Sequence, residues 1–175
     1  YNGELFLVYD DTIGSEYKII LPEAYDYIKE GLEWLGVKIH KIFYKSDRLE
    51  LFYKWCKELI IRNKAYVCRC NPEDWRKKYK LTQKACPCRS NMKEENLDLW
   101  DKMLAGFFKE GEAAVRLKSG MNQEDPALRD HVIMRISTRT HPRVGDKYIL
   151  WPLLEFSWAI DDYELGITHI LRGKD

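Results

Sequence analysis

Five cysteines are present, and four of them form two tight pairs, Cys68-Arg-Cys70 and Cys86-Pro-Cys88, with fifteen residues between the pairs. A structural zinc ion takes four thiolate or imidazole ligands in a tetrahedron. Two Cys-x-Cys pairs on separate loops meet that need, because each pair spans one edge. Pro87 stiffens the second loop. No open coordination position is implied, so Zn²⁺ at Cys68, Cys70, Cys86 and Cys88 would fold a segment too short to build its own core. The alternative is four unrelated thiols, which this clustering of a rare residue disfavours. Thiols rather than disulfides also point to a reducing, cytoplasmic compartment. Cys56 reads as a small buried residue of a helix.

Around the cysteines the chain is basic. From Arg62 to Arg89 nine lysines and arginines face only Glu73 and Asp74, a local net of +7, with Trp75 and Tyr79 interleaved. A rigid basic module suits a phosphate backbone; a solvated helix face is the plain alternative. Arg135, Arg139, His141, Arg143 and Lys147 form a second, looser cluster. Arg76, Lys77, Lys78, Arg89, Arg135 and Arg143 are the candidates for contact with RNA. His141, before Pro142, reads as a turn residue.

These groups need elements to hold them. Gly3–Thr12 reads as a strand ending in an acidic turn, its Leu5–Val8 run suited to burial on both faces. Pro22–Leu35 has helical apolar spacing, with Pro22 fitting the first turn and Gly36 the stop. Ile39–Tyr44 reads as a strand, and Ser46 or Asp47 can cap a helix running to Arg62. This alternation begins an α/β sheet. Then the character changes. Ala65–Cys70 reads as a strand, Asn71–Lys80 as a helix started by proline, and Cys86–Arg89 as a tight loop. Glu94–Phe107 reads as an amphipathic helix with Leu97, Trp100, Met103, Leu104 and Phe107 on one side. Ala113–Lys118 and Val132–Ile136 read as strands, Thr140–Asp146 as a turn, and Tyr148–Trp151 as extended. Pro152–Ile160 reads as helical or irregular, and Gly166–Leu171 as a last strand. The middle section looks like an insertion between two halves of one α/β fold.

The bulk numbers agree. With 175 residues the chain is one ordinary domain, or one carrying a large insertion. Apolar residues make up 45 %, and six Trp with eleven Tyr argue against disorder. A net charge of +1 leaves any field local. No apolar run approaches the roughly 20 residues of a membrane span. Tyr1 is not a natural start, so further sequence is expected upstream.

Taken in order, these segments resemble the archaeal and eukaryotic type of glutamyl-tRNA synthetase and its glutaminyl relative. The segments are YDDT (Tyr9–Thr12), EAYDYIKEGLEWLGV (Glu23–Val37), SDRLE (Ser46–Glu50), KAYVCRC (Lys64–Cys70) and ACPCR (Ala85–Arg89). They continue with EENLDLWDKMLAGFFKEGEAAVRLK (Glu94–Lys118), PALRDHVIMRI (Pro126–Ile136), HPRVGDKYILWP (His141–Pro152) and AIDDYELGITHILRGKD (Ala159–Asp175). The resemblance implies a Rossmann-type class I synthetase core interrupted by an α+β zinc-containing insertion that binds the tRNA acceptor end. Residues 1–63 and 151–175 would belong to the core and 64–150 to the insertion.

The resemblance also implies a chemistry. The family activates glutamate with Mg-ATP as glutamyl-adenylate and transfers it to the tRNA 3′ end. No enzyme nucleophile is needed, so catalysis is positioning and charge stabilisation. The family's ATP-binding signatures, His-Ile-Gly-His and Lys-Met-Ser-Lys-Ser, do not occur in these residues. The expectation is therefore a part of a cytoplasmic, monomeric ligase, with no catalytic residue in this stretch and no adenylate formation by it alone. Asp10 matches the acidic position that meets the substrate ammonium; its alternative is a turn cap, which Asp11 could equally serve. Arg172 matches the arginine placed near the substrate carboxylates; its alternative is a surface ion pair. Two positions depart from the pattern. Val8 replaces an arginine, and Leu154 replaces a tyrosine that helps hold the substrate side chain. Asp161 and Asp162 match a family pair and read as structural. Competing readings are a glutaminyl enzyme, a paralog that glutamylates a modified tRNA base, and a non-catalytic, zinc-stapled RNA-binding module.

Overall fold

The computed structural model describes residues 3–14 and 18–171. The chain runs through strand β1 (Phe6–Tyr9), helix α1 (Ala24–Trp34), strand β2 (Lys41–Tyr44) and helix α2 (Leu49–Ile61). Strand β3 (Ala65–Cys68) and the short helix α3 (Pro72–Trp75) follow. Helix α4 (Lys93–Leu104), strands β4 (Ala114–Leu117), β5 (Val132–Ile136) and β6 (Leu150–Pro152), and helix α5 (Leu154–Glu164) complete it. The architecture is mixed α/β. β1 and β2 pair in parallel, Phe6 opposite Lys41 and Tyr9 opposite Tyr44. The other four strands form an antiparallel sheet in the order β3-β4-β5-β6, with an irregularity between Val115 and Arg116.

Local signals set the boundaries. Gly36 takes φ +73°, and the Val37 N–H donates to the Leu32 carbonyl, which closes α1. Asn63 plays that part for α2 at φ +57°, with the Lys64 N–H on the Leu59 carbonyl, so the chain turns from helix into β3 across three residues. Asn71 caps α3, its Oδ1 accepting from the Glu73 and Asp74 amides. That helix continues through Lys80 as one wider turn.

The main core lies between the antiparallel sheet and three helices. Phe52, Cys56 and Ile60 of α2 meet Leu99, Trp100 and Met103 of α4 and Phe156 and Ile160 of α5, over Val67, Val115, Met134 and Leu150. One apolar cluster therefore runs across both expected boundaries, 63/64 and 150/151. Tyr53 adds a directional tie, donating to the Leu150 carbonyl at 2.7 Å. Among the described residues no helix is long and apolar enough to cross a membrane.

Several expected features differ. Arg48, with no side-chain cap bond, precedes α2 in place of Ser46 or Asp47, and the Leu5–Val8 run is half-buried because β1 pairs only with β2 among the described residues. Helix α4 ends at Leu104, and Phe107 is 73 % exposed instead of buried on its apolar face. Gly106, at φ +76°, turns the chain away before Phe107 can join that face. Gly166–Leu171 is not a strand: it pairs with no other segment among the described residues, and its Leu171 is 90 % exposed. An extended segment without a neighbour to bond cannot be a strand, whatever its composition.

Candidate metal centre and acidic turn

The four cysteines converge. Cys68 and Cys86 have sulfurs 3.8 Å apart, as do Cys70 and Cys88, and all four ligand atoms lie within 4.8 Å of one another. A regular tetrahedron with a Zn–S bond of about 2.3 Å has edges of about 3.8 Å. The donor set therefore fits zinc in both chemistry and spacing. Cys68 is fixed by β3, and Cys70 follows it into the α3 cap. Cys86 and Cys88 sit on a tight turn, Pro87–Ser90, in which the Arg89 amide donates to the Cys86 carbonyl.

The surroundings favour thiolate chemistry. Hydrogen bonds from Cys68 and Cys88 push the Cys86 thiol far down against the opposing effect of burial. The Trp75 indole N–H is buried with no hydrogen-bond partner, and its ring packs in one cluster with Cys68 and Cys86. The hydrogen bond to Cys86 and burial push Cys68 well up, and burial and the neighbouring sulfurs push Cys70 up to about 12. Cys68 and Cys70 thus hold their protons beside Cys86, and a cation is what would let them ionise as well. Cys56 is fully buried in α2, and burial alone raises its thiol, as suits a core residue.

The candidate RNA-contacting residues divide. Arg76, Lys77 and Lys78 are exposed on the segment between the cysteine pairs; Lys77 reaches Glu73 at 3.2 Å and Lys78 reaches Asp74 at 3.2 Å, ordinary surface pairs one turn apart. Arg89 instead donates to buried Asp130 at 2.7 Å. Arg143 stacks on Tyr44, its guanidinium 3.5 Å from the ring centre, and pairs with Asp47 at 2.7 Å. Arg135 lies in β5, half-buried, close enough to Glu110 to lower that carboxyl.

At the acidic turn, Asp10 is a fifth exposed and faces two lysines, Lys18 at 3.1 Å and Lys45 at 3.7 Å. Thr12 also donates to it, at 3.1 Å. Asp11 does the structural work that a cap would. It accepts from the Ser46 amide at 2.8 Å, the Ser46 hydroxyl at 2.7 Å and the Tyr25 hydroxyl at 3.0 Å. The next residues are gripped by the region before β6. His141 Nε2 bonds the Asp11 carbonyl at 2.6 Å, and Arg139 donates to the carbonyls of Ile13 and Lys18. His141 is thus a buried turn residue, stacked on Trp151. A Cβ on Gly14 would stand 2.5 Å from the Pro152 carbonyl oxygen, so only glycine lets the acidic turn approach β6.

Sequence reasoning missed Lys45. Its ammonium is fully buried and bonds the Ser157 hydroxyl at 2.8 Å, 112 residues away. No local pattern in the sequence marks it, because its partner lies so far along the chain. Asp161, buried, pairs with Arg48 at 2.7 Å, which fits the structural role expected of it. Burial raises its carboxyl while Arg48 opposes the shift. Val8 and Leu154 are half-buried, on β1 and at the start of α5. Arg172 lies outside the described residues.

Comparison with known proteins identifies the family. The catalytic-domain family of class I tRNA synthetases (E and Q) matches residues 1–175. A glutamate–tRNA ligase of Methanopyrus kandleri is 48 % identical over 175 residues, covering all of this chain and 30 % of the relative. Those of Methanocaldococcus jannaschii and Pyrococcus furiosus are 48 % and 49 % identical, again over the whole chain and over 31 % and 30 % of their own lengths. The chain therefore spans under a third of these relatives. With every residue matched, it belongs to the class I glutamyl and glutaminyl tRNA synthetase catalytic-domain family.

Proposed function

We propose that this chain is the part of a glutamate–tRNA ligase that carries the acidic substrate turn and the acceptor-end module. The observation that carries the reading is the match over the whole 175-residue chain to ligases of that name. In this reading residues 1–63 and 151–175 are parts of a Rossmann-type core, and 64–150 is the insertion that holds the tRNA acceptor end. ATP, with Mg²⁺, supplies the activated phosphate. Glutamate presents its ammonium to Asp10 and its carboxylates to Arg172. Lys45 is the fixed counter-ion of Asp10, and Lys18, about a third exposed, is the partner that a substrate ammonium displaces. The four cysteines hold a structural Zn²⁺, and Arg76, Lys77 and Lys78 offer charge to the RNA backbone. Arg89, Arg135 and Arg143 act with them only through the parts of their guanidinium groups not held by neighbours. The setting is the cytoplasm, and the protein is monomeric.

The test is tRNA charging by the full-length protein with labelled glutamate or glutamine. Charging with glutamate is the expected result, and Asp10→Asn should reduce kcat/KM by the equivalent of about 1.5–3 kcal/mol for a lost charged hydrogen bond. Charging with glutamine alone, or none with an intact ATP site, would overturn the proposal.

A further inference from the structure

Asp130 stands just before β5, apart from both cysteine pairs. It is fully buried, and its backbone lies in the left-handed region at φ +35°. That conformation costs a residue with a side chain on the order of 1 kcal/mol, so something must hold it there. A buried carboxylate also needs donors, and this one has three from three different segments. The Gly120 amide donates to Oδ1 at 3.0 Å. Arg89 Nε donates to Oδ2 at 2.7 Å, and the Tyr66 hydroxyl donates to the same oxygen at 3.1 Å. Arg116 Nη1 donates to the Asp130 carbonyl at 3.1 Å.

Each side-chain partner leads to the cysteines. Arg89 is the residue after Cys88. The Tyr66 oxygen lies 3.6 Å from the Cys86 sulfur. Arg116 lies 3.4 Å over the Trp75 ring, which packs against Cys68 and Cys86 in one buried cluster. The two pairs are also held unequally. Cys68 belongs to a four-stranded sheet, whereas Cys86 and Cys88 belong to a four-residue turn and its entry. The turn reaches β3 through side-chain anchors, and two of them, Arg89 and Tyr66, share one carboxylate oxygen.

We propose that Asp130 is the positioning residue of the metal centre. By clamping Arg89 and Tyr66 it holds Cys86 and Cys88 at ligating distance from Cys68 and Cys70. The Tyr66 hydroxyl has one proton; committed to Asp130, it keeps the phenol oxygen fixed beside Cys86 instead of letting it rotate away. This inference rests on reading the four cysteines as a zinc site.

The experiment uses the intact protein. Zinc is first measured by elemental analysis in the wild type and in Cys86→Ser. Zinc transfer to a chromophoric chelator is then timed, and the visible spectrum of the cobalt-substituted protein is recorded. Asp130→Asn should release zinc about 10–100-fold faster, the range for lost outer partners of a metal ligand, and should change the cobalt ligand-field bands. Tyr66→Phe should move both in the same direction by less. Leu99→Ala, which lowers stability through the main core, should leave the cobalt spectrum and release rate unchanged. Wild-type release and spectrum in Asp130→Asn would overturn the proposal, as would equal acceleration in Leu99→Ala. If Asp130→Asn does not fold, Tyr66→Phe and Arg89→Gln decide: faster release in either supports the clamp, and wild-type rates in both overturn it. A wild type without zinc, or unchanged zinc in Cys86→Ser, would instead overturn the metal reading.

Discussion

Helices α1 and α2 are close in length and both carry aromatic and aliphatic residues at helical spacing. Yet α2 buries Leu49, Phe52, Cys56 and Ile60, and α1 buries nothing. Trp34 on α1 is 85 % exposed, while Trp100 on the neighbour of α2 is 1 % exposed. The difference is one of partners. α2 is pressed between a four-stranded sheet and two helices. α1 is tied by polar and aromatic contacts at one point: Tyr9 donates to the Tyr25 carbonyl, Tyr25 donates to Asp11, and the rings of Tyr9, Tyr25 and Tyr44 pack together. An amphipathic pattern states that a helix has an apolar side; the neighbouring elements decide whether water is excluded from it.

Three substitutions break or sharpen that contrast. Trp100→Ala should cost the most, about 3–5 kcal/mol, because it opens a cavity where α2, α4 and the sheet meet. Denaturant unfolding measures it, and a loss below 1 kcal/mol would show that this core is not the stabilising one. Trp34→Ala removes the same side chain from α1 and should shift stability of the 175-residue chain by no more than about 0.5 kcal/mol. A loss matching that of Trp100→Ala would erase the contrast. The smallest effect lies at Glu110, which joins its loop to the end of β5 by accepting from the Thr138 amide and hydroxyl. The amide bond is the largest of the causes that hold its carboxyl below the ordinary 4.5. A lowered folded value means that the contribution is fully present above pH 4.5 and is lost as pH falls through that lowered value. Glu110 is exposed, so solvent screening limits the effect to at most about 0.5 kcal/mol. Glu110→Gln should flatten that acid dependence, and an unchanged pH–stability curve would show that the bond does not matter.

The same contrast explains what could be read in advance. The cysteine quartet was legible because its ligands come in adjacent pairs and tetrahedral spacing requires little else. β5 and the C-terminal ends of α1 and α2 were legible because glycine, asparagine and β-branched residues act on their own backbone. Asp130 and Lys45 were not. Each is defined by partners tens of residues away, and neither lies in a local pattern that marks it. Phe107 misled for a related reason: it continues the apolar period of α4, but Gly106 ends the helix first. Arg89 and Arg143 looked like free charge, yet a guanidinium stacked on Tyr44 or bonded to Asp130 is committed before any other partner arrives.

The grip on the acidic turn has a consequence in time. Its bonds to Arg139 and His141 span 126 and 130 residues, and Lys45 waits for Ser157 across 112. Closing contacts that distant is slow compared with forming helices and hairpins. Of the partners that fix the residues around Asp10, Tyr25 and Ser46 lie nearby in sequence, but Arg139, His141 and Ser157 are made more than a hundred residues later. The acidic turn is therefore assembled near the end of folding, and its shape reports that the rest of the chain has already arrived.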